Sequence, residues 1–452
     1  MLFERIESPG LAHYSYLIGD GLDAVVIDPR RDCEVYVERT AQEGLRVAHV
    51  LETHRHEDYV SGSLELAART GALVWHADAQ LDYGYGQPVQ DGQVWQVGRL
   101  KLQASHSPGH TPGSMSYLLH DPTGAPWMIL TGDTLFAGDV GRVDLLGMER
   151  APEMARLLYD TLFHKLLPLG DGVIVCPAHG AGSACGGAIA ERTWTTVELE
   201  RRLNPKLQAA GRDEFIALVA KELERPPYFR HMETWNVQGA PLLGTLPVPP
   251  PLSPGEFAAR TQDVLVLDAR TELGFAAAHV PGALFCGLEE IPRFAGWFLP
   301  YDRPILLVAE PAGLPQAVRY LARLGYDDLA GYLAGGMLAW HTAGLESVAL
   351  RTITPHELCR RLGAGEKIGI LDVRSDGEVE ADRMAGAQHV PLTQILERLD
   401  EVPRDRSVAI FCRSGVRATV AASLLERAGH QGVTVVLGGR SGWKAISCPT
   451  RL

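Results

Sequence analysis

Short apolar runs, each closed by a cluster of polar or ionisable residues, organise the first 240 positions of the chain. Residues 24–27 and 47–51 read as strands, 64–69 as a helix, and 127–130 and 173–176 as further buried strands. These four strands end on Asp28-Pro29, Thr53-His54, Thr131-Gly132-Asp133 and Pro177-Ala178-His179. Ionisable groups at strand ends of a layered α/β fold are where sites are usually built. The stretch 239–255 breaks the pattern with six prolines and few charges, and reads as an extended linker. Beyond it, apolar runs at 264–267, 305–308, 368–371 and 408–411 alternate with helical segments, which predicts parallel sheets flanked by helices.

The second half repeats itself. Leu267-Asp268-Ala269-Arg270 recurs as Leu371-Asp372-Val373-Arg374, and Gly282-Ala283 as Gly386-Ala387. Arg323-Leu324-Gly325 returns as Arg427-Ala428-Gly429, and Gly335-Gly336 with Trp340 as Gly438-Gly439 with Trp443. Two tandem copies follow. At about 150 residues per domain the length also suggests three domains. The expected division is 1–240, a Pro-rich linker 241–255, a first copy 256–350 and a second 351–452.

A net charge of −13 without a basic tract argues against nucleic acid as a partner. No stretch approaches the roughly 18 apolar residues of a membrane span. The first ten residues lack the basic and apolar segments of a secretory leader. The cytosol is therefore the expected compartment. The seven cysteines are scattered and form no C-x-x-C pair, so each is expected to be a free thiol in a reducing environment. The sequence leaves a homo-oligomer open.

Candidate chemistry concentrates in four loops. Thr53-His54-Arg55-His56-Glu57-Asp58-Tyr59, Ser107-Pro108-Gly109-His110, Thr131-Gly132-Asp133 and Pro177-Ala178-His179-Gly180 bring imidazoles and carboxylates together, a donor set that suits zinc, iron or manganese. This set resembles the metallo-β-lactamase superfamily, which implies an αββα sandwich over about residues 1–240. The binuclear hydrolases of that superfamily resemble H-x-H-x-D-H, and here the last position is Tyr59. A phenol with a pKa near 10 is a poor ligand at neutral pH, so a single metal is expected. In the persulfide dioxygenase branch the corresponding residues hold one Fe(II), which implies His54, His110 and Asp133 as ligands of one iron per chain. Two histidines and a carboxylate match the facial triad of non-haem iron oxygenases, with positions open for O2 and substrate. The resemblance leaves Asp58, Tyr59 and His179 as orienting or substrate-binding groups, and His56 either as one of these, as in the dioxygenases, or as a metal ligand, as in the hydrolases. Arg142, in Gly141-Arg142-Val143-Asp144, either takes an anionic substrate group or pairs with Asp144. The fourth loop departs from the P-A-H-D-Y of glutathione-persulfide enzymes and carries Cys185, which is either an inert loop thiol or, as a resemblance to fused dioxygenases with the same loop implies, a second functional thiol near the metal.

Near the C-terminus, Cys412-Arg413-Ser414-Gly415-Val416-Arg417 joins an apolar run to a helix predicted over 418–427. Backbone N–H groups at a helix start and two arginines would stabilise a thiolate and attract an anion. The loop resembles the C-R-x-G-x-R loop of rhodaneses and implies sulfur transfer through a persulfide on Cys412, with Arg413 and Arg417 in the cradle. The first copy has no cysteine at the equivalent stretch 305–316 and places Glu310 there, so it is expected to be inactive.

The whole chain resembles the fused persulfide dioxygenase–sulfurtransferases of bacterial sulfide detoxification. That implies low-molecular-weight persulfides, O2 and sulfite as reactants and thiosulfate as product, with no membrane partner. Two other readings stand beside it: a glyoxalase II-like zinc thioesterase fused to sulfur-carrying modules, and a non-oxidative sulfur carrier with a binding domain in front.

Overall fold

The computed structural model describes residues 1–449. The chain forms two compact units, Met1–Leu246 with the short segment Ala322–Gly325, and Pro247–Leu321 with the chain from Tyr326 onward.

The first unit is a sandwich of two six-stranded sheets. One begins with the antiparallel strands Leu2–Ser8, His13–Asp20 and Asp23–Ile27, then continues in parallel through Arg46–Leu51, Leu73–His76 and Gln87–Pro88. The other runs from Val94–Val97 through Leu100–His106, Met115–His120 and Pro126–Gly132 to Ile174–Pro177 and Thr195–Thr196. Strand alternation sorts the side chains. Val25 and Ile27 point into the core between the sheets, against Leu102, Tyr117, Leu119 and Leu130. Ala24 and Val26 point the other way, to a layer with Tyr36 and Leu66 from helices Glu34–Gln42 and Ser63–Thr70. Behind the second sheet, Ile129 and Val175 pack on Met154, Leu158 and Phe215 of helices Ala151–Thr161 and Arg212–Val219. Both faces of each central strand are covered, which is why these strands read as unbroken apolar runs. Each buried Val, Leu or Ile contributes about 1.5–3 kcal/mol, against a net of about 1 kcal/mol for a typical hydrogen bond. The apolar layers therefore hold the strands, and the strand ends are left to chemistry.

The second unit holds the two repeats. Each has a five-stranded, all-parallel sheet, in the order Pro251–Leu252, Leu329–Leu333, Ile305–Val308, Leu265–Asp268, Leu284–Phe285 in the first copy. The second copy repeats that order with Arg351–Ile353, Val433–Val436, Val408–Phe411, Gly369–Asp372 and Gln388–His389. The repeat extends to single contacts: Arg270 pairs with Asp268, and Arg374 with Asp372, each at 2.6 Å. Pro251 and Leu252, inside the Pro-rich stretch, pair with Tyr332 and Leu333, and Ser253 with Glu256 caps the following helix Pro254–Arg260.

The expectation that every cysteine is a free thiol is corrected. Cys359, on helix Pro355–Gly363, is bonded to Cys448, just beyond helix Gly439–Lys444. Their Cα atoms are 5.9 Å apart, inside the range a disulfide spans. The other five are free and buried. No helix among the described residues is long and apolar enough to cross a membrane.

Candidate metal centre and sulfur-transfer loop

His54, His110 and Asp133 meet at one edge of the sandwich, each from the loop after a strand of a different segment. Their candidate ligand atoms all lie within 4.8 Å of one another. His54 Nε2 and His110 Nε2 are 3.7 and 3.6 Å from Asp133 Oδ2. All three atoms are buried and make no hydrogen bond. Unpartnered polar atoms in a dry site are costly unless something binds them. Donors about 2.1 Å from a common ion sit roughly 3–4 Å apart, so the three atoms fit one metal.

The surroundings decide which nitrogen faces the centre. Thr53 Oγ1 donates to Asp28 Oδ2 at 2.7 Å, so it can only accept from His54 Nδ1, 2.9 Å away. His110 Nδ1 donates to the Arg142 carbonyl at 2.9 Å. Both rings are thereby held in the tautomer that turns the Nε2 lone pair inward. Asp28 adds a second bond to the Thr53 amide at 2.7 Å and adopts a left-handed backbone, φ 51°, which Asp tolerates better than most residues. Gly141 admits the close approach of its loop, because a Cβ there would collide with the Asp133 carbonyl and press on His110.

The other predicted residues fall around this centre. His56 turns away to Asp28, with Nε2 3.0 Å from Oδ1. Burial disfavours its charge, but the Asp28 carboxylate lifts its pKa to about 9. Tyr59 is buried against His13 and His56, with ring centroids at 4.2 and 4.7 Å. Burial, with Asp28 and Asp58 nearby, pushes its phenol well above the ordinary value. His179 bridges two carboxylates, Asp133 Oδ1 at 2.7 Å and Asp58 Oδ2 at 2.8 Å. Burial opposes its charge, yet the two anions raise its pKa well above 6.5. Cys185 joins Asp58 and His179 in a second group of donors within 4.8 Å. Burial first, and then Asp58, Asp133 and Glu57, push its thiol far up, so the environment favours the protonated form.

Arg142 resolves to its pairing alternative. It forks onto Asp144 at 2.7 and 2.7 Å and donates to the carbonyls of Ala184, Leu223 and Glu224. The guanidinium braces the loop, and the residue serves the centre through its own carbonyl. Several residues whose roles the sequence did not assign also matter here. Besides Asp28 and Thr53, Glu57 Oε2 lies 3.7 Å from His110 Nε2, and Asn236 clamps the carbonyls of His56 and Tyr59. A cleft of about 180 Å³ reaches His110, lined by Arg55, Leu81, Met115, Leu145 and Leu146 among others.

In the second unit, Cys412 ends strand Val408–Phe411, and its Sγ accepts from the Gly415 amide at 3.0 Å. Helix Val416–Arg427 follows. Arg417 forks onto Glu378 at 2.6 and 2.7 Å, which holds that carboxyl down to about 2. Gly439, at φ 51°, lies where a Cβ would strike the Cys412 carbonyl. Trp443 packs edge-on against Phe411. The first copy has Ala309 and Glu310 where the second has its thiol loop, and its one cysteine, Cys286, is buried elsewhere.

Comparison with known proteins follows this division. The metallo-β-lactamase superfamily profile matches residues 8–179, and the rhodanese-like domain profile matches 253–343 and 354–446. Persulfide dioxygenase ETHE1, mitochondrial, of Bos taurus is 31% identical over 232 residues, 49% of this chain and 81% of that protein. Hydroxyacylglutathione hydrolase GloC of Haemophilus influenzae is 27% identical over 220 residues, 43% of this chain and 92% of its own length. The crystal structure of a metallo-β-lactamase from Staphylococcus aureus superposes with a TM-score of 0.66 at 29% identity, covering 73% of this chain and 98% of that one. The chain belongs to the metallo-β-lactamase superfamily. More particularly, it joins an ETHE1 homologue to tandem rhodanese-like domains.

Proposed function

We propose that this chain is an iron-dependent persulfide dioxygenase coupled to a sulfurtransferase. The observation that carries the reading is the convergence of three unpartnered atoms, His54 Nε2, His110 Nε2 and Asp133 Oδ2, while His56 and Tyr59 are directed elsewhere. That pattern supports one ion rather than the pair used by hydrolases. Fe(II) held by these three residues would supply redox activation of O2 toward sulfane sulfur. The overall change balances as R–S–S⁻ + O2 + H2O → R–S⁻ + SO3²⁻ + 2H⁺.

The residues of the chain do the rest. Thr53 and the Arg142 carbonyl hold both histidine rings with Nε2 aimed at the centre. The cleft beside His110 offers apolar walls for the organic part of the persulfide. His179, charged between Asp133 and Asp58, keeps Asp133 ionised. In the second unit Cys412 takes sulfur from a further persulfide and passes it to sulfite, giving thiosulfate. Placing both sites in one chain raises the local concentration of sulfite for the second step.

Purified protein loaded with iron should consume O2 when a thiol persulfide is added, and Asp133→Asn should abolish both iron retention and uptake. An iron-loaded protein that consumes no O2 overturns the proposal. The zinc thioesterase reading, which the GloC relationship keeps in view, requires two zinc ions per chain and thioester hydrolysis.

A further inference from the structure

The carbonyls of the sulfur-transfer loop are held by one short helix. In helix Gly439–Lys444 the Arg440 amide donates to the Cys412 carbonyl at 2.8 Å, and the Ser441 amide to the Arg413 carbonyl at 3.0 Å. A planar trans peptide sets its N–H opposite its C=O. Holding these two carbonyls therefore fixes the amides of Arg413 and Ser414 on the opposite side of the loop. The Gly415 amide, next in line, donates to Cys412 Sγ. The position of the helix thus decides how the loop presents its donors.

Two fastenings hold that helix. One is polar: Arg440 and Lys444 pair with Asp382 at 2.9 and 2.7 Å. The other is covalent: the Cys359–Cys448 bond ties the chain just past the helix to helix Pro355–Gly363. Both cysteines rest against the apolar cluster that contains Phe411 and Trp443. Both are only half-buried, so a small thiol can reach them. The silent copy shows that the fold does not require the bond. Its helix Pro254–Arg260 and its Trp340 match helix Pro355–Gly363 and Trp443, and at the two cysteine positions it has Ala258 and Leu345. Of the two copies, only the one that carries the thiol loop has the bond.

We infer that the Cys359–Cys448 bond is a redox-sensitive brace of the sulfur-transfer loop: closed, it holds helix Gly439–Lys444 against the carbonyls of Cys412 and Arg413, and opened by a low-molecular-weight thiol it loosens that support and slows transfer from Cys412. This rests on the reading of Cys412 as the sulfur carrier. Opening takes two exchanges. One R–S⁻ attacks a sulfur of the bond, forming a mixed disulfide and freeing one cysteine as a thiolate. A second R–S⁻ attacks the mixed disulfide, releasing R–S–S–R and freeing the other cysteine. The protein bond is reduced and the small thiol is oxidised, with no further reactant. R–S⁻ is released by both reactions proposed for the chain, so an accumulating product would slow the transfer step. Asp382 still holds the helix in the open form, which is why the loop should loosen rather than unfold.

The test uses the full chain and the transfer of sulfur from thiosulfate to cyanide, S2O3²⁻ + CN⁻ → SO3²⁻ + SCN⁻, which bypasses the dioxygenase step. The wild type is equilibrated with mixtures of cysteine and cystine and desalted, and its bridged fraction is read by mass spectrometry. The transfer rate should track that fraction, falling about fivefold in the open form, and should return on reoxidation. Cys359→Ala combined with Cys448→Leu, which installs the pair found in the silent copy, should show the same fall with its circular dichroism unchanged. In that variant, labelling of Cys412 by iodoacetamide should move to higher pH, an effect that a mere loss of folded protein would not produce. Equal transfer rates and labelling profiles in the bridged and open forms overturn the brace. A bond that stays closed in excess cysteine overturns its redox sensitivity. Cys412→Ser that still transfers sulfur at the wild-type rate overturns the underlying reading instead, and so separates the two failures.

Discussion

At the scale of single residues, the metal centre depends on groups that never reach the ion. Thr53 is the clearest case, because its hydroxyl donates to Asp28 and so dictates the tautomer of His54. Thr53→Val keeps the shape and removes that dictation. Iron affinity should fall about 10–100-fold, the usual cost of losing an orienting partner, and excess iron should restore O2 uptake. Titration with Fe(II) under anaerobic conditions checks this. His54, His110 and Asp133 could be recognised from their spacing, since each lies in a short polar cluster after an apolar run. Asp28, Glu57 and Asn236 could not be assigned roles that way. A carboxylate 25 residues before the threonine it holds, or an amide 180 residues after the carbonyl it clamps, has no local pattern to mark it. Arg142 shows the converse: G-R-x-D was visible, but only the three carbonyls around the guanidinium decide between brace and anion site.

Individual elements carry their own constraints. Strands and repeats were legible because both faces of the central strands are buried and because the two copies preserve the same ladder. The disulfide was not, since a pairing across 89 residues cannot be deduced from spacing. The start of helix Gly439–Lys444 leans directly on the Cys412 loop. Gly439→Ala should therefore cost about 1–3 kcal/mol from backbone strain alone. It should cut sulfur transfer severely while O2 uptake persists, a separation readable in parallel activity assays. The Glu378–Arg417 pair links helix Asp376–Ala381 to helix Val416–Arg427. The Glu378 carboxyl is depressed from 4.5 to about 2 when folded. Its stabilising contribution is thus present above pH 4.5 and is lost as pH falls from there toward 2. Denaturant unfolding of the wild type should weaken across that window, and Glu378→Gln should remove this component of the slope.

For the whole molecule, the two chemistries proposed for one chain predict a separable phenotype. With O2, persulfide and iron-loaded protein, Cys412→Ser should consume O2 at the wild-type rate, make no thiosulfate and accumulate sulfite. Ion chromatography of the products distinguishes this from a protein whose halves depend on each other. The order of domains was readable from the linker and the 104-residue repeat. Which copy carries the thiol loop was readable from the cysteine missing in the other.

The bond between Cys359 and Cys448 has a mechanical consequence. It closes a loop over almost the entire second repeat. A chain held by its two ends and pulled would unfold that repeat without being able to lengthen through it. Force–extension traces should therefore lack about 310 Å of contour, taking 89 residues at roughly 3.5 Å each. The missing length should return when a thiol reductant is added. Under tension the thiol loop would remain inside a closed ring, tethered near its own start, while the rest of the chain pays out.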